Sequence, residues 1–418
     1  MYEIAYMSSR SAIAASGKKF RTKNISQTVQ NIVISPIKEM SILADLLEDE
    51  IGAGKVISFG QGIPYFDTPE HIKQALRQAL QEIETAKYTL EPGMTELRVL
   101  LAKYLEVSRN ITHIEPKKEL MVTAGCQEAV ACALRSIIDP GDEVLLPSPC
   151  FASHIEQVIQ FGGIPVYVPL KEEEGWRLEE SECEQRITKK TKAILFSNPS
   201  NPTGAVFSSA SLRLLADIAK KHDLVIITDE TYDFLTYDNT PHASPASFED
   251  VRDRVILCGS FSKKYAMTGY RVGFAYADEG LIDHMLKVHD ALVICAPAIS
   301  QKGAIAALKG SDASVKEFSQ KLSQNRDAMC RELDSLSHFF AYQKPMGAYY
   351  ILAKVKHQNY QDSFDLALRI LNEAHVIVIP GAAFGPQGEG HVRFSFAGQP
   401  ENIQKGFERL RIWIEKNG

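Results

Sequence analysis

Short apolar runs alternate with stretches of helical periodicity through the middle of the chain. The stretch at 208–223, "SSASLRLLADIAKKHD", has a helical pattern with Ser208 or Ser209 as its cap. Strands that alternate with helices predict a mostly parallel sheet covered by helices on both faces. The apolar runs that fit buried strands are "LMVTA", "EVLLP" (143–147), "KAILFS" (192–197), "LVIITD" (224–229), "RVILCG" (254–259) and "RVGFAYA" (271–277).

The last hundred or so residues have a different pattern. A long helical stretch at 312–336 is followed by the strands "GAYYILA" (347–353) and "HVRFSFA" (391–397), and a closing helix covers 400–416. This order predicts a smaller α+β domain next to the α/β domain. We therefore predict three parts, which are a large domain at 58–304, a small domain made of 31–57 and 305–418, and an N-terminal arm at 1–30.

Composition narrows the function classes. The 418 residues are 45% hydrophobic and 23% charged, which is ordinary for a globular protein with two domains, and no apolar run is long enough to cross a bilayer. A net charge of -6 gives no indication of a nucleic-acid surface. Seven cysteines without C-x-x-C spacing indicate reduced thiols in the cytoplasm, not a disulfide framework or a zinc site.

Polar residues follow the predicted strands, where ligands bind in open α/β sheets. Gly125 directly follows "LMVTA" and precedes a helical stretch, so backbone N–H groups there would hold a phosphate, with Ser260 and Arg271 as further donors. The sequence has neither G-x-x-x-x-G-K-[ST] nor G-x-G-x-x-G, which are the nucleotide signatures. Many turns between a strand and a helix contain glycine without binding a ligand, so Gly125 taken alone does not establish a phosphate site.

An acid and a lysine complete the candidate chemistry. Asp229 ends an apolar strand, so it either forms a salt bridge or cap, or holds a proton on a heterocyclic nitrogen with Tyr232 nearby. Lys263 and Lys264 follow the next strand and precede Arg271. Two adjacent lysines usually form a solvated surface, whereas burial and a neighbouring cation would lower the pKa of one and make it a nucleophile.

The segment "SFSKKYAMTGYRVGF" (260–274) strongly resembles the signature of class I/II pyridoxal-phosphate aminotransferases of fold type I. The resemblance runs from about Ile57 to the C-terminus. Five further motifs carry it, in the family's order: "GQGIPYFDTP" (60–69), "KYTLEPGMTELR" (87–98), "SNPSNPTG" (197–204), "TDETYDFL" (228–235) and "VRFSFA" (392–397). It implies a large domain with a sheet of the seven-stranded type flanked by helices, and a smaller α+β domain.

The resemblance also implies a role for each matching residue. Lys263 would carry the covalent link to pyridoxal 5'-phosphate. Lys264 occupies a position where members of the family have different residues, so no catalytic role is implied for it. The implied cofactor contacts are Asp229 at the ring nitrogen, Tyr232 and Asn201 at the phenolic oxygen, Phe151 stacked on the ring, and Gly125, Cys126, Gln127, Ser260 and Arg271 at the phosphate. Arg393, assisted by the Gly62 backbone, would bind the substrate α-carboxylate. Tyr88 would reach the phosphate of a neighbouring subunit, which implies a homodimer with shared active sites.

The implied reaction moves an amino group from an L-α-amino acid to a 2-oxo acid, and it needs no metal. "GQG" (60–62) and Gln127, where some aspartate or prephenate relatives have a lysine, favour neutral or aromatic donors over aspartate. C–S lyases, decarboxylases and aminocyclopropane-carboxylate synthase share the same residues and stay open as alternatives, as does an aspartate-type enzyme. A transcription regulator would need a DNA-binding module, for which we expect no room before Ile34, and a cofactor-free homologue would not keep every key residue.

Overall fold

The computed structural model of the chain describes residues 26–30, 32 and 35–417. Most of the predicted N-terminal arm (1–30) lies outside the described residues, and Gln27–Gln30 forms one helical turn. Residues from Ile34 onward form one compact unit, which is described below by itself. No helix in this described part combines the length and apolar character needed to cross a membrane.

The strands form three sheets. Seven of them make the central sheet in the order β2-β8-β7-β6-β5-β3-β4, where only β8 runs antiparallel to its neighbours. The strands are β1 (Ile57–Ser58), β2 (Leu120–Thr123), β3 (Glu143–Ser148), β4 (Ile164–Pro169), β5 (Thr191–Ser197), β6 (Val225–Asp229), β7 (Val255–Ser260), β8 (Gly273–Tyr276), β9 (Phe340–Tyr342), β10 (Tyr350–Val355), β11 (Val376–Ile377), β12 (Ile379–Pro380) and β13 (His391–Ser395).

Helices connect and cover these strands. Helix α7 shows why they start where they do, because the Ser208 side chain accepts a hydrogen bond from the Ser211 N–H at 3.1 Å and caps the first turn. The helices are α1 (Pro36–Ile51), α2 (Glu70–Ala79), α3 (Thr95–Arg109), α4 (Cys126–Ile137), α5 (Ala152–Gln160), α6 (Glu180–Glu184), α7 (Ser209–His222), α8 (Glu279–Val293), α9 (Ala298–Lys309), α10 (Ala313–Ser335), α11 (Ser363–Arg369) and α12 (Pro400–Asn417).

The predicted fold class is confirmed. A mostly parallel sheet of seven strands with helices around it forms the core of an α/β protein. All of its strands except the edge strand β4 are buried along nearly their whole length, which explains their continuous apolar sequence. A second, antiparallel sheet has the order β12-β13-β10-β9, and α10 packs against α12 beside it. The exact boundaries at 58–304, 31–57 and 305–418 remain a prediction.

A buried ionic network lies behind the carboxyl end of β6. The Arg109 Nε donates to Glu230 Oε2 at 2.6 Å, and the same guanidinium pairs with Asp233. Tyr104 also donates to Asp233. Because Glu230 directly follows Asp229 at the end of the strand, this network fixes the backbone from which the site residues project.

Replacing Arg109 with methionine is expected to lower the free energy of unfolding by about 3–5 kcal/mol, because two buried carboxylates lose their positive partner. Urea unfolding followed by circular dichroism measures the change. The control is Arg213→Met, whose arginine pairs with the exposed Asp250 and should matter little. Equal stability of the Arg109 variant and the unaltered protein would contradict a stabilising network.

All seven cysteines are free thiols in the described residues. Cys295 is half-buried, and the other six are buried. Burial raises the pKa of the buried thiols, which keeps them protonated and unreactive at neutral pH. The buried cysteines are Cys126, Cys132, Cys150, Cys183, Cys258 and Cys330.

Candidate active site

A cavity of about 640 Å³ opens at the carboxyl ends of the central strands. Ser197, Asp229 and Ser260, which are the last residues of β5, β6 and β7, line it. This is the edge of the sheet where the sequence predicts ligand binding. Eleven of the predicted site residues line the cavity: Gly62, Cys126, Gln127, Phe151, Asn201, Asp229, Tyr232, Ser260, Lys263, Arg271 and Arg393.

Lys263 presents its amine to this cavity. The Nζ donates a hydrogen bond to the Gly62 carbonyl oxygen at 2.6 Å. Burial lowers the pKa of Lys263 to about 8, and the positive charges of Arg271 and Arg393 act in the same direction. The negative charge of Asp229 opposes them and raises this pKa. A large fraction of the amine is therefore neutral near pH 8, as a nucleophile or base requires.

Asp229 is held as a carboxylate at the floor of the cavity. Its Oδ2 lies 3.3 Å from His154 Nε2, and its Oδ1 accepts from the Thr231 N–H at 3.0 Å and the Cys126 thiol at 3.3 Å. Burial by itself raises the pKa of Asp229, but the interactions with His154 and Thr231 outweigh it and hold the pKa below its usual value. The cavity thus has one fixed negative charge.

The turn between β2 and α4 lies against Arg271. Gly125 has φ of +94°, and a Cβ on it would lie 2.4 Å from an Arg271 guanidinium nitrogen, so only glycine fits. Arg271 donates to the Ala124 and Thr268 carbonyl oxygens. The start of α4 therefore combines free N–H groups with a fixed guanidinium, which is the chemistry that binds an anion.

Arg393 lies on β13 at the other side of the cavity and is almost fully buried. It donates to Asn201 Oδ1 at 2.9 Å and to the Gly60 carbonyl oxygen at 2.5 Å. Its guanidinium stacks on the Tyr350 ring, 4.4 Å from the centroid, while Nε has no hydrogen-bond partner among the described residues. A buried guanidinium with an unpaired N–H donor is expected to bind an anionic ligand.

Tyr232 and Tyr350 line the cavity, and Tyr349 packs against both of them. The Tyr232 hydroxyl lies 2.9 Å from that of Tyr350, and the Tyr349 hydroxyl donates to the Gly62 carbonyl oxygen at 2.7 Å. Burial raises the pKa of Tyr232 well above its usual value, so this side chain stays a neutral hydrogen-bond donor. Phe151, at the start of α5, stands edge-on to His154 with the ring centroids 5.4 Å apart.

Two predicted site residues, Gly125 and Tyr88, do not line the cavity. Gly125 lies against Arg271, whereas Tyr88 is 76% exposed. Leu80, Ile83 and Leu90 on the same segment are also exposed.

The comparisons with known proteins agree with this geometry. The model of the family described as aminotransferase class I and II matches residues 54–410. The chain belongs to the class I and II aminotransferases. The putative aminotransferase YugH of Bacillus subtilis is 36% identical over 94% of this chain and 99% of its own. The aspartate aminotransferase of Pyrococcus abyssi is 37% identical over 88% and 94%.

A solved structure gives the same assignment for this aminotransferase. The aromatic aminotransferase from Pyrococcus horikoshii superposes with a TM-score of 0.83 at 35% identity, over 91% of this chain and 99% of its own. The predicted family and the predicted transaminase activity are therefore confirmed.

Four residues of this aminotransferase site escaped the sequence reasoning. His154 contacts Asp229, and Gly60 accepts from Arg393. Tyr350 lines the cavity beside Tyr232, and Tyr349 donates to the Gly62 carbonyl oxygen. The two tyrosines stand in "GAYYILA", where the apolar pattern predicts a strand and hides their function. The signal for Gly60 was present, since it opens the "GQGIPYF" motif, but the sequence reasoning singled out only Gly62 in this motif, as a helper of Arg393 at the substrate carboxylate.

Proposed function

We propose that this aminotransferase uses pyridoxal 5'-phosphate bound in the described cavity. The main support for the proposal is that the pKa of the Lys263 amine is lowered to about 8 in a cavity that also holds one carboxylate, Asp229, and two guanidinium groups, Arg271 and Arg393. Lys263 would carry the covalent link, and Asp229 would pair with the ring nitrogen. Tyr232 and Asn201 would donate to the phenolic oxygen, and Phe151 would stack on the ring.

The residues present fit this cofactor at its phosphate end. Arg271 occupies the space that a side chain at Gly125 would fill, so its guanidinium lies directly against the backbone of the turn. The N–H groups of Gly125, Cys126 and Gln127, with the Ser260 hydroxyl, would complete the phosphate site. The cavity has more positive than negative groups, as a ligand with both a phosphate and a carboxylate requires.

The reaction follows from the positions of the charged side chains. Arg393 would bind the α-carboxylate of the amino acid through its free Nε–H and guanidinium face, while Asn201 and Gly60 fix its orientation. The neutral Lys263 amine would take the proton from the α-carbon and return it as an ammonium in the second half of the transfer. When bound, pyridoxal phosphate supplies the electron sink that stabilises the carbanion formed at the α-carbon. Asp229, held ionised, would keep that ring nitrogen protonated.

The lowered pKa of Lys263 predicts how cofactor loading depends on pH. Only the neutral amine forms the covalent link, so the loading rate of the cofactor-free protein should rise between pH 6.5 and pH 8 and level off above the pKa of about 8. Trapping with borohydride after timed mixing gives this rate. A rate that keeps rising to pH 10 would indicate a lysine of ordinary pKa and would contradict the effect of burial.

We propose neutral or aromatic amino acids as donors. The cavity wall includes Ile37, Ile42 and Ile63, and Gln127 has no charge for a distal carboxylate. The relatives are named for aspartate as well as for aromatic substrates, so an aspartate preference is the competing outcome.

A single-turnover screen tests activity and donor together. The cofactor-loaded protein is mixed with one amino acid at a time without any 2-oxo acid, and the products are measured. One equivalent of the matching 2-oxo acid per site, without free ammonia, is expected for phenylalanine, tyrosine or methionine. A much larger kcat/KM for aspartate would overturn the donor proposal, and continuous release of pyruvate and ammonia would identify a lyase.

We further propose a homodimer with shared active sites, located in the cytoplasm. The exposed Tyr88 and its apolar neighbours Leu80, Ile83 and Leu90 support a partner surface, since aromatic and apolar side chains gathered on a surface mark interfaces. The free thiols support a reducing compartment. Sedimentation at the mass of two chains is expected, whereas a stable monomer with full activity would contradict shared sites.

A further inference from the structure

His289 on α8 is fully buried outside the cavity, and both of its ring nitrogens face oxygen acceptors. Nδ1 lies 2.5 Å from Glu128 Oε1, and Nε2 lies 3.1 Å from the Glu91 carbonyl oxygen. A carbonyl oxygen only accepts, so Nε2 must carry a hydrogen, and a second hydrogen must lie between Nδ1 and the carboxyl group. The orientation of the ring is therefore fixed from both sides.

Glu128 connects this histidine to the anion-binding turn. Its second carboxyl oxygen accepts from the Ala124 N–H at 2.5 Å, and the Ala124 carbonyl oxygen accepts from Arg271 at 3.3 Å. Glu128 also stands in the first turn of α4, which begins at Cys126 directly after Gly125. A continuous series of hydrogen bonds thus leads from His289 to Arg271.

The other side of His289 holds the segment that carries Tyr88. The Glu91 carbonyl oxygen is its acceptor, and Gln301 binds the same segment by donating to Thr89 Oγ1 at 3.0 Å. The histidine therefore links the turn at Gly125 to the stretch at 87–94, which carries the exposed Tyr88.

We propose that His289 is a positioning residue for the phosphate end of the site. Through Glu128 it holds the Ala124 turn and Arg271 in the geometry that a phosphate needs, and through Glu91 it holds the segment with Tyr88. This inference rests on the proposed function, because it assumes that the cofactor phosphate lies at Gly125 and Arg271.

A metal ion is the alternative role for this cluster. Glu128, Cys132 and His289 place one ligand atom each within 4.8 Å of one another. The separation of 2.5 Å between Glu128 Oε1 and His289 Nδ1 is a hydrogen-bond distance, whereas two ligands about 2.0 Å from a tetrahedral zinc lie about 3.3 Å apart. The geometry therefore favours a shared proton.

The test compares two ligands that differ only in the phosphate. Dissociation constants of pyridoxal phosphate and of pyridoxal are measured by fluorescence quenching of the cofactor-free protein and its His289→Asn variant. The variant should bind pyridoxal phosphate about tenfold more weakly, as expected for the loss of one charge-assisted hydrogen bond, and pyridoxal unchanged. Glu128→Gln, which keeps the side-chain size, should show the same selective loss if His289→Asn does not fold.

His284→Asn is the matched control, because His284 is exposed on the same helix and its Nδ1 hydrogen-bonds the Gly280 carbonyl oxygen of its own helix. Unchanged binding of pyridoxal phosphate in both cluster variants, or an equal loss for both ligands, would overturn the positioning role. Zinc that copurifies with the unaltered protein and is lost in Cys132→Ala would overturn it in favour of a metal site. An unaltered protein that binds no pyridoxal phosphate would defeat the proposed function itself.

Discussion

Replacing Lys263 with alanine is expected to abolish transamination and the borohydride-reducible link to the cofactor. Burial lowers the pKa of this amine to about 8, which allows a neutral form near physiological pH. Without it, no side chain both holds the cofactor covalently and moves the α-proton, so kcat should fall by about 10⁴-fold or more. Steady-state kinetics and mass spectrometry after borohydride treatment measure the two losses.

Lys264→Met is the matched control for this experiment. Lys264 faces away from the cavity, with its Nζ 4.5 Å from the centroid of the Tyr104 ring and 3.4 Å from the Tyr104 hydroxyl. The variant should lose some stability and keep the covalent link. A cofactor still trapped by borohydride in Lys263→Ala would place the reactive amine elsewhere.

Replacing Arg393 with leucine is expected to lower kcat/KM by about 10³-fold, mainly through KM, because a carboxylate would enter a buried site without its cation. The covalent link should still form, since Lys263 and Arg271 are unchanged and burial, the largest cause of the lowered Lys263 pKa, remains. Arg393→Lys keeps the positive charge but loses the bidentate donor. Its kcat/KM should lie between those of the unaltered enzyme and Arg393→Leu.

A substrate without a carboxylate makes the test of Arg393 specific. The unaltered enzyme should strongly prefer an amino acid to its amide, whereas Arg393→Leu should lose most of this preference. A variant that still discriminates as the unaltered enzyme does would show that another group binds the carboxylate.

The central sheet could be predicted from the sequence because its strands are buried on both faces. Continuous apolar runs such as 192–197 and 224–229 indicate β5 and β6 closely. The edge strand β4 was missed, because "IPVYVP" contains two prolines and is only partly buried, so its sequence does not differ from a loop. The antiparallel direction of β8 could not be predicted either. The direction of a strand depends on the path of the connection before it, and the apolar pattern of the strand is the same in both directions.

The candidate site was predictable where a residue ends a strand. Asp229, Ser260 and Lys263 follow apolar runs, so their chemistry stands out. His154 was not predictable, because it lies on a helix in an amphipathic pattern and reaches Asp229 only when α5 packs against the sheet. The pair of His289 and Glu128 is separated by 161 residues and likewise needs the three-dimensional fold.

The difference in burial between Cys295 and the other cysteines allows the protein to be labelled at one site, and this label can report on its assembly. Because Cys295 is only half-buried while the other six cysteines are buried and protonated, a maleimide dye added to the folded protein reacts at one position per chain. That position directly follows the exposed Leu292, Val293 and Ile294. Donor and acceptor dyes on separately labelled batches would thus test the proposed homodimer without any engineered cysteine, because energy transfer after mixing requires subunits from both batches in one assembly.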